Sequence, residues 1–183
     1  MIVAFTGNIG SGKSSLANML VERNGFIEYS FAGPIKEIGK IFGFTEQEMY
    51  GTQNDKLKEN KFWGVSFRTF AQKLGTELFR VRLAELIPEM KECWLRLCEK
   101  FLEENMDKNI VISDLRFLDE AKMLKGKNCI IFKTFRGCDD STGSRKHASE
   151  LEISKIESNC DIDNQNYSLE ENYELVRNTL GLE

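Results

Sequence analysis

The amino-acid sequence predicts an α/β fold of three layers, in which a parallel β-sheet is flanked by helices on both faces. Three observations support this prediction. Short apolar runs alternate with longer helix-forming segments along the chain, which is typical of a parallel sheet covered on both sides. A glycine-rich turn directly joins the first apolar run to the first helical segment. The chain is 41% hydrophobic and contains 13 Phe, so it can bury a core.

The first third of the chain is predicted to contain two strands and three helices. Gly25 ends the first helix, Pro34 lies in the first turn of the second, and Thr45 opens a short third helix with a capping box. The segment that follows, 54–63, is polar and lysine-rich, and is therefore predicted to be a loop or a mobile excursion. The predicted elements are strand 2–5, helix 13–23, strand 26–31, helix 35–42 and the short helix from Thr45.

The remaining two thirds begin with helices and return to alternation. Ser66 is predicted to cap a long helix that ends near Glu85, and Pro88 to begin another that ends near Asn105. A capping box at Ser168 opens a C-terminal helix that ends at Gly181. Between them the predicted order is strand 109–113, helix 117–124, strand 129–135, loop 136–146, helix 148–156 and strand 160–162.

Composition limits the classes of partner and the compartment. With 183 residues the chain is expected to form one domain, 1–183, and its net charge of -4 argues against a nucleic-acid partner. No apolar run reaches the roughly 18 residues needed to cross a membrane, and the N-terminus lacks the basic leader of a signal peptide, so we expect a cytoplasmic protein. Five cysteines without a C-x-x-C pair, beside a single His, predict reduced thiols rather than a zinc site.

A phosphate-binding loop (P-loop) is predicted between the first strand and the first helix, because 7–14 matches G-x-x-x-x-G-K-[ST] at every fixed position. Backbone N–H groups of such a loop, with the helix N-terminus, surround a nucleotide phosphate. Lys13 is expected to bridge the β- and γ-phosphates, and the Ser14 hydroxyl to coordinate Mg²⁺. The alternative is a glycine turn that matches the pattern by chance. The predicted ATP-binding residues are Asn8, Gly10, Ser11, Gly12, Lys13, Ser14 and Ser15.

Two further residues follow a buried strand. Asp114 lies at the end of Ile110-Val-Ile-Ser, where a P-loop protein places its second magnesium contact, and the alternative is that it caps the helix at Phe117. Arg116 is predicted to reach the active site as a catalytic residue. For Arg116 the alternative is a surface ion pair with Glu120 at i+4.

A third candidate region is the charged, glycine-rich loop that begins at Arg136. A closing lid that carries arginine can neutralise charge on a moving phosphoryl group and exclude water. Arg136 is the preferred catalytic candidate because it directly follows a strand. For Arg145, Lys146 and His147 a solvated polar loop is the favoured interpretation.

The helix from Ser66 carries two stripes when plotted at 100° per residue. The apolar stripe is predicted to face the core. The second stripe offers an arginine, an amide, a gap and an aromatic ring, which together suit a nucleoside monophosphate, and ordinary surface polarity is its alternative. The apolar stripe is Phe67, Ala71, Leu74, Leu78 and Val81, and the second is Arg68, Gln72, Gly75 and Phe79.

Several motifs occur in a characteristic order along the whole chain. They are Ala32-Gly-Pro-Ile-Lys36, Ser66-Phe-Arg-Thr-Phe-Ala-Gln-Lys-Leu-Gly-Thr76, Ser113-Asp-Leu-Arg116, Phe135-Arg136, His147-Ala-Ser-Glu150 and the segment 164–182. Together with the P-loop they resemble the deoxynucleoside monophosphate kinases of large tailed bacteriophages. The resemblance implies transfer of the ATP γ-phosphate to a deoxynucleoside monophosphate (dNMP), on a P-loop nucleoside monophosphate kinase fold, with Mg²⁺ and often as a homodimer.

The resemblance also implies roles for individual residues. Arg68 would hold the phosphate of the acceptor and Gln72 would lie beside its base, within an acceptor-binding region of about 34–105 that also includes Lys36, Gly75 and Phe79. Arg136 would be the arginine of a lid at about 136–156, and Asp114 the magnesium partner.

Two departures from the family pattern bear on these roles. The stretch between Tyr50 and Ser66 is shorter than in the longer phage members, which leaves the base preference open. Ser14-Ser15 stands where some members have an acidic residue, which leaves the metal ligands open.

Two other functions remain as alternatives. Dephospho-coenzyme A kinase opens with a similar P-loop, but its family has an acidic motif after the second strand, where this chain has Ser30-Phe-Ala-Gly-Pro34. A GTP-dependent switch would need an N-K-x-D motif after a strand, and Asn54-Asp-Lys56 lacks that spacing.

Overall fold

A computed structural model describes residues 1–137 and 148–182, with the side chains of 148–150 left undescribed. The chain divides into two compact units. Unit 1 comprises Met1–Ser30 and Glu99–Glu183, and unit 2 comprises Phe31–Cys98.

Apart from α4 and the strands β3 and β4, which were not predicted, the strands and helices follow one another in the predicted order, and the helix predicted from Pro88 begins at Cys93. The strands are β1 Ile2–Gly7, β2 Ile27–Tyr29, β3 Glu59–Asn60, β4 Val65–Ser66, β5 Ile110–Leu115, β6 Ile130–Phe135 and β7 Cys160–Asp163. The α-helices are α1 Lys13–Asn24, α2 Gly33–Ile41, α3 Glu46–Tyr50, α4 Gln53–Leu57, α5 Phe67–Gln72, α6 Leu83–Leu86, α7 Cys93–Glu104, α8 Leu118–Gly126, α9 Ala148–Ile153 and α10 Leu169–Leu180. A π-helical segment, Lys73–Arg82, joins α5 to α6, and a 3₁₀ turn spans Pro88–Met90.

Unit 1 is built on a parallel sheet with the strand order β2-β5-β1-β6-β7. The core cluster includes Phe5 of β1, Leu16 and Leu20 of α1, and Val176 of α10, so apolar helix faces cover the sheet. The predicted α/β class with a parallel, helix-flanked sheet is thus confirmed. Because all the strands run in one direction, their carboxyl ends meet at a single edge, and this is where such sheets bind ligands.

Two predicted helix boundaries in unit 1 are confirmed, whereas the helix predicted over 148–156 ends at Ile153. Gly25 ends α1 with a φ of 67°, a left-handed conformation that favours glycine. Ser168 and Glu171 form the capping box that opens α10.

The loop prediction for 54–63 in unit 2 is wrong. This segment contains the end of α4, and β3 pairs antiparallel with β4 to form a hairpin. Thr52 caps α4, since its N–H donates to Asp55 Oδ2 over 2.8 Å and its hydroxyl accepts the N–H of Asp55. These short elements depend on polar caps rather than on apolar periodicity, which is why an apolar pattern did not reveal them.

The helix from Ser66 is confirmed, but the predicted apolar stripe is wrong beyond its first turns. Phe67 is buried and joins a cluster with Phe44 and Met49, whereas Leu78 is 47% exposed and Val81 49%. The cause is the π-helical segment, in which i→i+5 hydrogen bonds change the angle between successive side chains. A wheel drawn for 3.6 residues per turn therefore loses its register after Gln72.

Within the described ranges, every helix is too short or too polar to cross a lipid bilayer.

Candidate active site

The P-loop connects β1 to α1 at the carboxyl edge of the sheet. Gly7 has a φ of 142°, and a Cβ atom there would lie 2.1 Å from the carbonyl oxygen of Thr134. Gly12 has a φ of 96°, and a Cβ atom there would lie 2.6 Å from Nδ2 of Asn164. Both positions thus require glycine. No side chain caps α1 at Gly12, so the N–H groups of its first turn are available to an anion.

Lys13 places its ammonium group inside this loop. Its Nζ donates to the carbonyl oxygens of Gly7 at 2.7 Å and Asn8 at 2.6 Å, and lies 3.4 Å from Ser11 Oγ. The residue is only 6% exposed. Burial is the main cause that lowers the pKa of Lys13 from 10.5 to about 7; the charge of Arg116 contributes to this decrease, and that of Asp114 opposes it. The loop therefore holds a cationic group that nucleotide phosphates would stabilise in its charged form.

This buried lysine predicts a pH-dependent stability. The unfolded chain holds the Lys13 proton up to about pH 10.5, whereas the folded chain releases it near pH 7. Between these values the unfolded state binds more protons, so the contribution of Lys13 to the free energy of unfolding rises with pH, by at most roughly 1.4 kcal/mol per unit. Below about pH 7 the cost of the buried charge is fully present.

Urea unfolding of the wild-type chain and of Lys13→Met at pH 7.5 and 9.5 measures this contribution. The wild-type free energy of unfolding should gain on that of the variant as pH rises, because subtraction cancels the other titrating groups. Equal pH slopes for the two proteins would contradict a buried lysine of lowered pKa.

Asp114 lies in β5 near the edge, one strand from the P-loop. Ser30 directly follows β2, and its hydroxyl donates a hydrogen bond from Oγ to Asp114 Oδ2 over 2.7 Å. The cap of α8 comes instead from Glu120, whose Oε2 accepts the N–H groups of Arg116 and Phe117, both at 3.1 Å. The helix-capping role considered for Asp114 is therefore filled by another residue.

The donor chemistry at this edge suits a magnesium ion. The Ser14 hydroxyl is exposed, and Asp114 presents a carboxylate; both are the hard oxygen ligands that Mg²⁺ prefers, alongside water and phosphate. The metal contacts of Ser14 and Asp114 remain predictions.

Arg116 acts electrostatically on Lys13, since its charge lowers the pKa of that residue. A surface ion pair with Glu120 was its alternative interpretation, but Glu120 is buried. Two cationic groups near each other beside the P-loop favour the binding of a polyanion.

Arg136 directly follows β6 and has an exposed side chain. Its Nε donates to the backbone oxygen of Asn164 over 3.1 Å, which ties the base of the predicted lid to the end of β7. Arg145, Lys146 and His147 lie outside the described residues.

Sequence reasoning missed a buried polar group beside the P-loop. Ser11 Oγ lies 2.6 Å from Thr134 Oγ1, and the Ser11 carbonyl accepts from Asn164 Nδ2. Asn164 is held in turn by Asn172 of α10. A signal did exist, because Thr134 and Asn164 stand at the ends of β6 and β7, the same position that singled out Asp114.

The residues predicted to bind the acceptor phosphate lie in unit 2. Arg68 Nη2 donates to Gln53 Oε1. Lys36 Nζ lies 4.3 Å from the centre of the Tyr50 ring, a cation–π contact. Gln72 is partly exposed at the end of α5. Binding of the acceptor by Lys36, Arg68 and Gln72 stays a prediction.

Gly75 and Phe79 make packing contacts within the same unit. A Cβ atom on Gly75 would lie 2.6 Å from Ile35 Cδ1. The carbonyl oxygen of Gly75 accepts a hydrogen bond from Trp94 Nε1 over 3.0 Å. The Phe79 ring packs against Trp94 with centroids 5.0 Å apart. These contacts provide a structural reason for both residues, and their predicted role toward a base remains a prediction.

Known proteins similar to this chain include several kinases. A protein of Acanthamoeba polyphaga mimivirus named "Putative deoxynucleotide monophosphate kinase" is 32% identical over 186 residues, which cover 96% of this chain and 94% of that protein. No protein-family model matches the chain. Shikimate kinase from Aquifex aeolicus superposes with a TM-score of 0.55 at 16% identity, over 99% of this chain and 96% of its own. A sugar kinase from Janibacter sp. HTCC2649 gives 0.51 at 14% identity, over 98% and 94%.

The two kinds of similarity support different conclusions. The solved kinases share too little sequence to show more than the P-loop kinase fold, which agrees with the loop and the sheet order described above. The viral relative is similar along nearly its whole length. The chain is therefore a phosphotransferase of the P-loop kinase fold, and it belongs to the deoxynucleotide monophosphate kinase family.

Proposed function

We propose that this chain is a dNMP kinase, which transfers the γ-phosphate of ATP to a dNMP and releases ADP and the deoxynucleoside diphosphate. The observation that carries the proposal is the buried Lys13 inside a complete P-loop, in a chain that is 32% identical over 96% of its length to a relative named for this activity. The P-loop accounts for the donor, and the relative supports the acceptor.

The donor half of the reaction belongs to unit 1. The N–H groups at the start of α1 would surround the β-phosphate, and Lys13 would leave the carbonyls of Gly7 and Asn8 to bridge the β- and γ-phosphates. A magnesium ion held by Ser14 and Asp114 would neutralise phosphate charge, and Ser30 orients the Asp114 carboxylate for that contact.

The transfer itself is an in-line displacement. An oxygen of the acceptor monophosphate attacks the γ-phosphorus, a new P–O bond forms, and the bond to the oxygen bridging the β- and γ-phosphates breaks, leaving ADP. No protein base is required, since a monophosphate oxygen is already anionic at neutral pH. Arg116 and Arg136 are proposed to stabilise the charge that spreads over the transferred group.

The acceptor half is proposed to belong to unit 2. Arg68 would bind the monophosphate as a planar fork, with Lys36 as a second cation and Gln72 beside the base. We further propose that the enzyme contributes to deoxynucleotide synthesis in the cytoplasm, in the host cell if the source is viral. Homodimerisation belongs to the same proposal, which includes no nucleic-acid or membrane partner.

A substrate panel tests this function. ADP release, coupled to NADH oxidation, is measured with ATP and each of the four dNMPs, the four ribonucleotides and dephospho-coenzyme A, with Lys13→Met as the background. Turnover with at least one dNMP is expected. Turnover only with dephospho-coenzyme A, or tight GTP-selective binding without any acceptor-dependent turnover, would replace the proposal with one of the two alternatives.

A further inference from the structure

Asn164 is a buried amide at the end of β7 that contacts the P-loop directly. Its Nδ2 donates a hydrogen bond to the carbonyl oxygen of Ser11 over 2.6 Å, and the residue is only 5% exposed. The same Nδ2 lies 2.6 Å from the point where a side chain on Gly12 would begin. Asn164 thus occupies the space that the glycine leaves open, one residue before Lys13.

The orientation of this amide is determined by its partners. Asn172 Nδ2 donates to the carbonyl oxygen of Asp163 and to Asn164 Oδ1, each over 2.9 Å. A backbone carbonyl only accepts hydrogen bonds, so Asp163 O orients the amide of Asn172, and Asn172 then orients that of Asn164. The Nδ2 of Asn164 must therefore face Ser11, whose carbonyl is likewise only an acceptor.

The backbone of Asn164 adds a second connection. Its carbonyl oxygen accepts a hydrogen bond from Arg136 Nε, and its N–H donates one to Phe135 O over 2.9 Å. One residue therefore contacts both the P-loop and the arginine at the base of the predicted lid.

We propose that Asn164, oriented by Asn172, is a positioning residue for the donor nucleotide. By donating to the Ser11 carbonyl, it sets the peptide plane between Ser11 and Gly12. The Gly12 N–H, which points opposite to that carbonyl in a trans peptide, is thereby directed away from Asn164 and toward the proposed phosphate site. The backbone oxygen of Asn164 also accepts a hydrogen bond from Arg136 Nε. The inference rests on the proposed function only in requiring ATP as donor, since it concerns no acceptor.

The test compares Asn164→Asp with Asn178→Asp. The first keeps the shape of the side chain and the acceptor for Asn172 but removes the donor to Ser11; the second makes the same change of charge on the exposed face of α10. The dissociation constant of ADP with Mg²⁺ is measured by calorimetry, KM for ATP and for the best dNMP by initial rates, and the melting temperature separately. Asn164→Ser, which is uncharged and too short to reach Ser11, serves as a second variant.

Asn164→Asp and Asn164→Ser should bind ADP at least about tenfold more weakly, with KM for ATP raised far more than KM for the dNMP. Asn178→Asp should stay within about twofold of the wild type. A lowered melting temperature with unchanged ADP affinity would mean that Asn164 only stabilises the fold, and would overturn the proposal. Equal increases in the two KM values would overturn it as well.

Two outcomes separate this inference from the proposed function. A wild-type chain that binds ADP but phosphorylates no dNMP contradicts the function while the Asn164 comparison still decides the inference; one that binds no nucleotide overturns both. If neither Asn164 variant folds, the side-chain amide of Asn164 is followed by NMR in the wild-type chain. Slowly exchanging amide protons that shift when ADP saturates the site support the proposal, and unchanged signals refute it.

Discussion

Replacing Lys13 with Met is expected to lower kcat by about 10²–10³-fold or more, while the chain stays folded. The ammonium group is buried among the carbonyls of the P-loop, where the proposed function places the phosphates of ATP. Methionine retains the length and packing of the side chain but supplies no charge to the transferring group. The variant should therefore bind nucleotide weakly and transfer phosphate hardly at all. Initial rates at saturating dNMP measure kcat, and circular dichroism measures whether the variant is folded.

Lys122→Met is the matched control for this experiment. Lys122 is an exposed residue of α8, so the same change of side chain there should leave kcat within about twofold of the wild type. A Lys13→Met enzyme with nearly normal kcat would show that the lysine stabilises or shapes the loop without acting on phosphate.

Replacing Arg68 with Ala is expected to raise KM for the dNMP by about 10–100-fold, with a much smaller effect on KM for ATP. The physical reason is the loss of the charge-assisted hydrogen bonds that Arg68 is proposed to make to the monophosphate, since the proposal gives Arg68 no part in binding ATP. Arg68→Lys should fall between, because lysine keeps the charge but not the planar fork. Initial rates over a grid of ATP and dNMP concentrations separate the two KM values.

Arg82→Ala is the control on the same helical stretch. Arg82 is exposed and paired with Glu85, so its loss should change neither KM appreciably. Similar increases of both KM values in Arg68→Ala would mean that Arg68 maintains the fold, for instance through its hydrogen bond to Gln53, rather than binding the acceptor.

The parts of this protein that could be predicted from sequence are those governed by local chemistry. The P-loop has glycines at 7 and 12 because the backbone there is left-handed or crowded, and the pattern of glycines is visible in the sequence. The caps at Thr45 and Ser168 are likewise formed between residues three apart. Alternating apolar runs sufficed to predict the parallel sheet and its covering helices.

Interactions between distant residues could not be predicted in this way. The lowered pKa of Lys13 depends on burial and on Arg116, about 100 positions away along the chain. The contact between Asn164 and Ser11 joins residues 153 positions apart. Leu78 and Val81 are exposed because the helix changes to the π type over 73–82, and no residue in that segment predicts the change.

The sequence by itself determined the fold class, the P-loop and the family resemblance, because each is encoded in residues that are neighbours along the chain. Only the tertiary structure decided which hydrogen bonds hold those residues. Ser30 donates to Asp114, and Glu120 accepts from the N–H of Phe117 at the start of α8. Asn172 donates to Asn164 beside the P-loop. The reason is that a buried polar group must find a partner wherever the folded chain brings one within hydrogen-bonding distance. The order of the strands in the sheet, rather than proximity along the sequence, determines which residue becomes that partner.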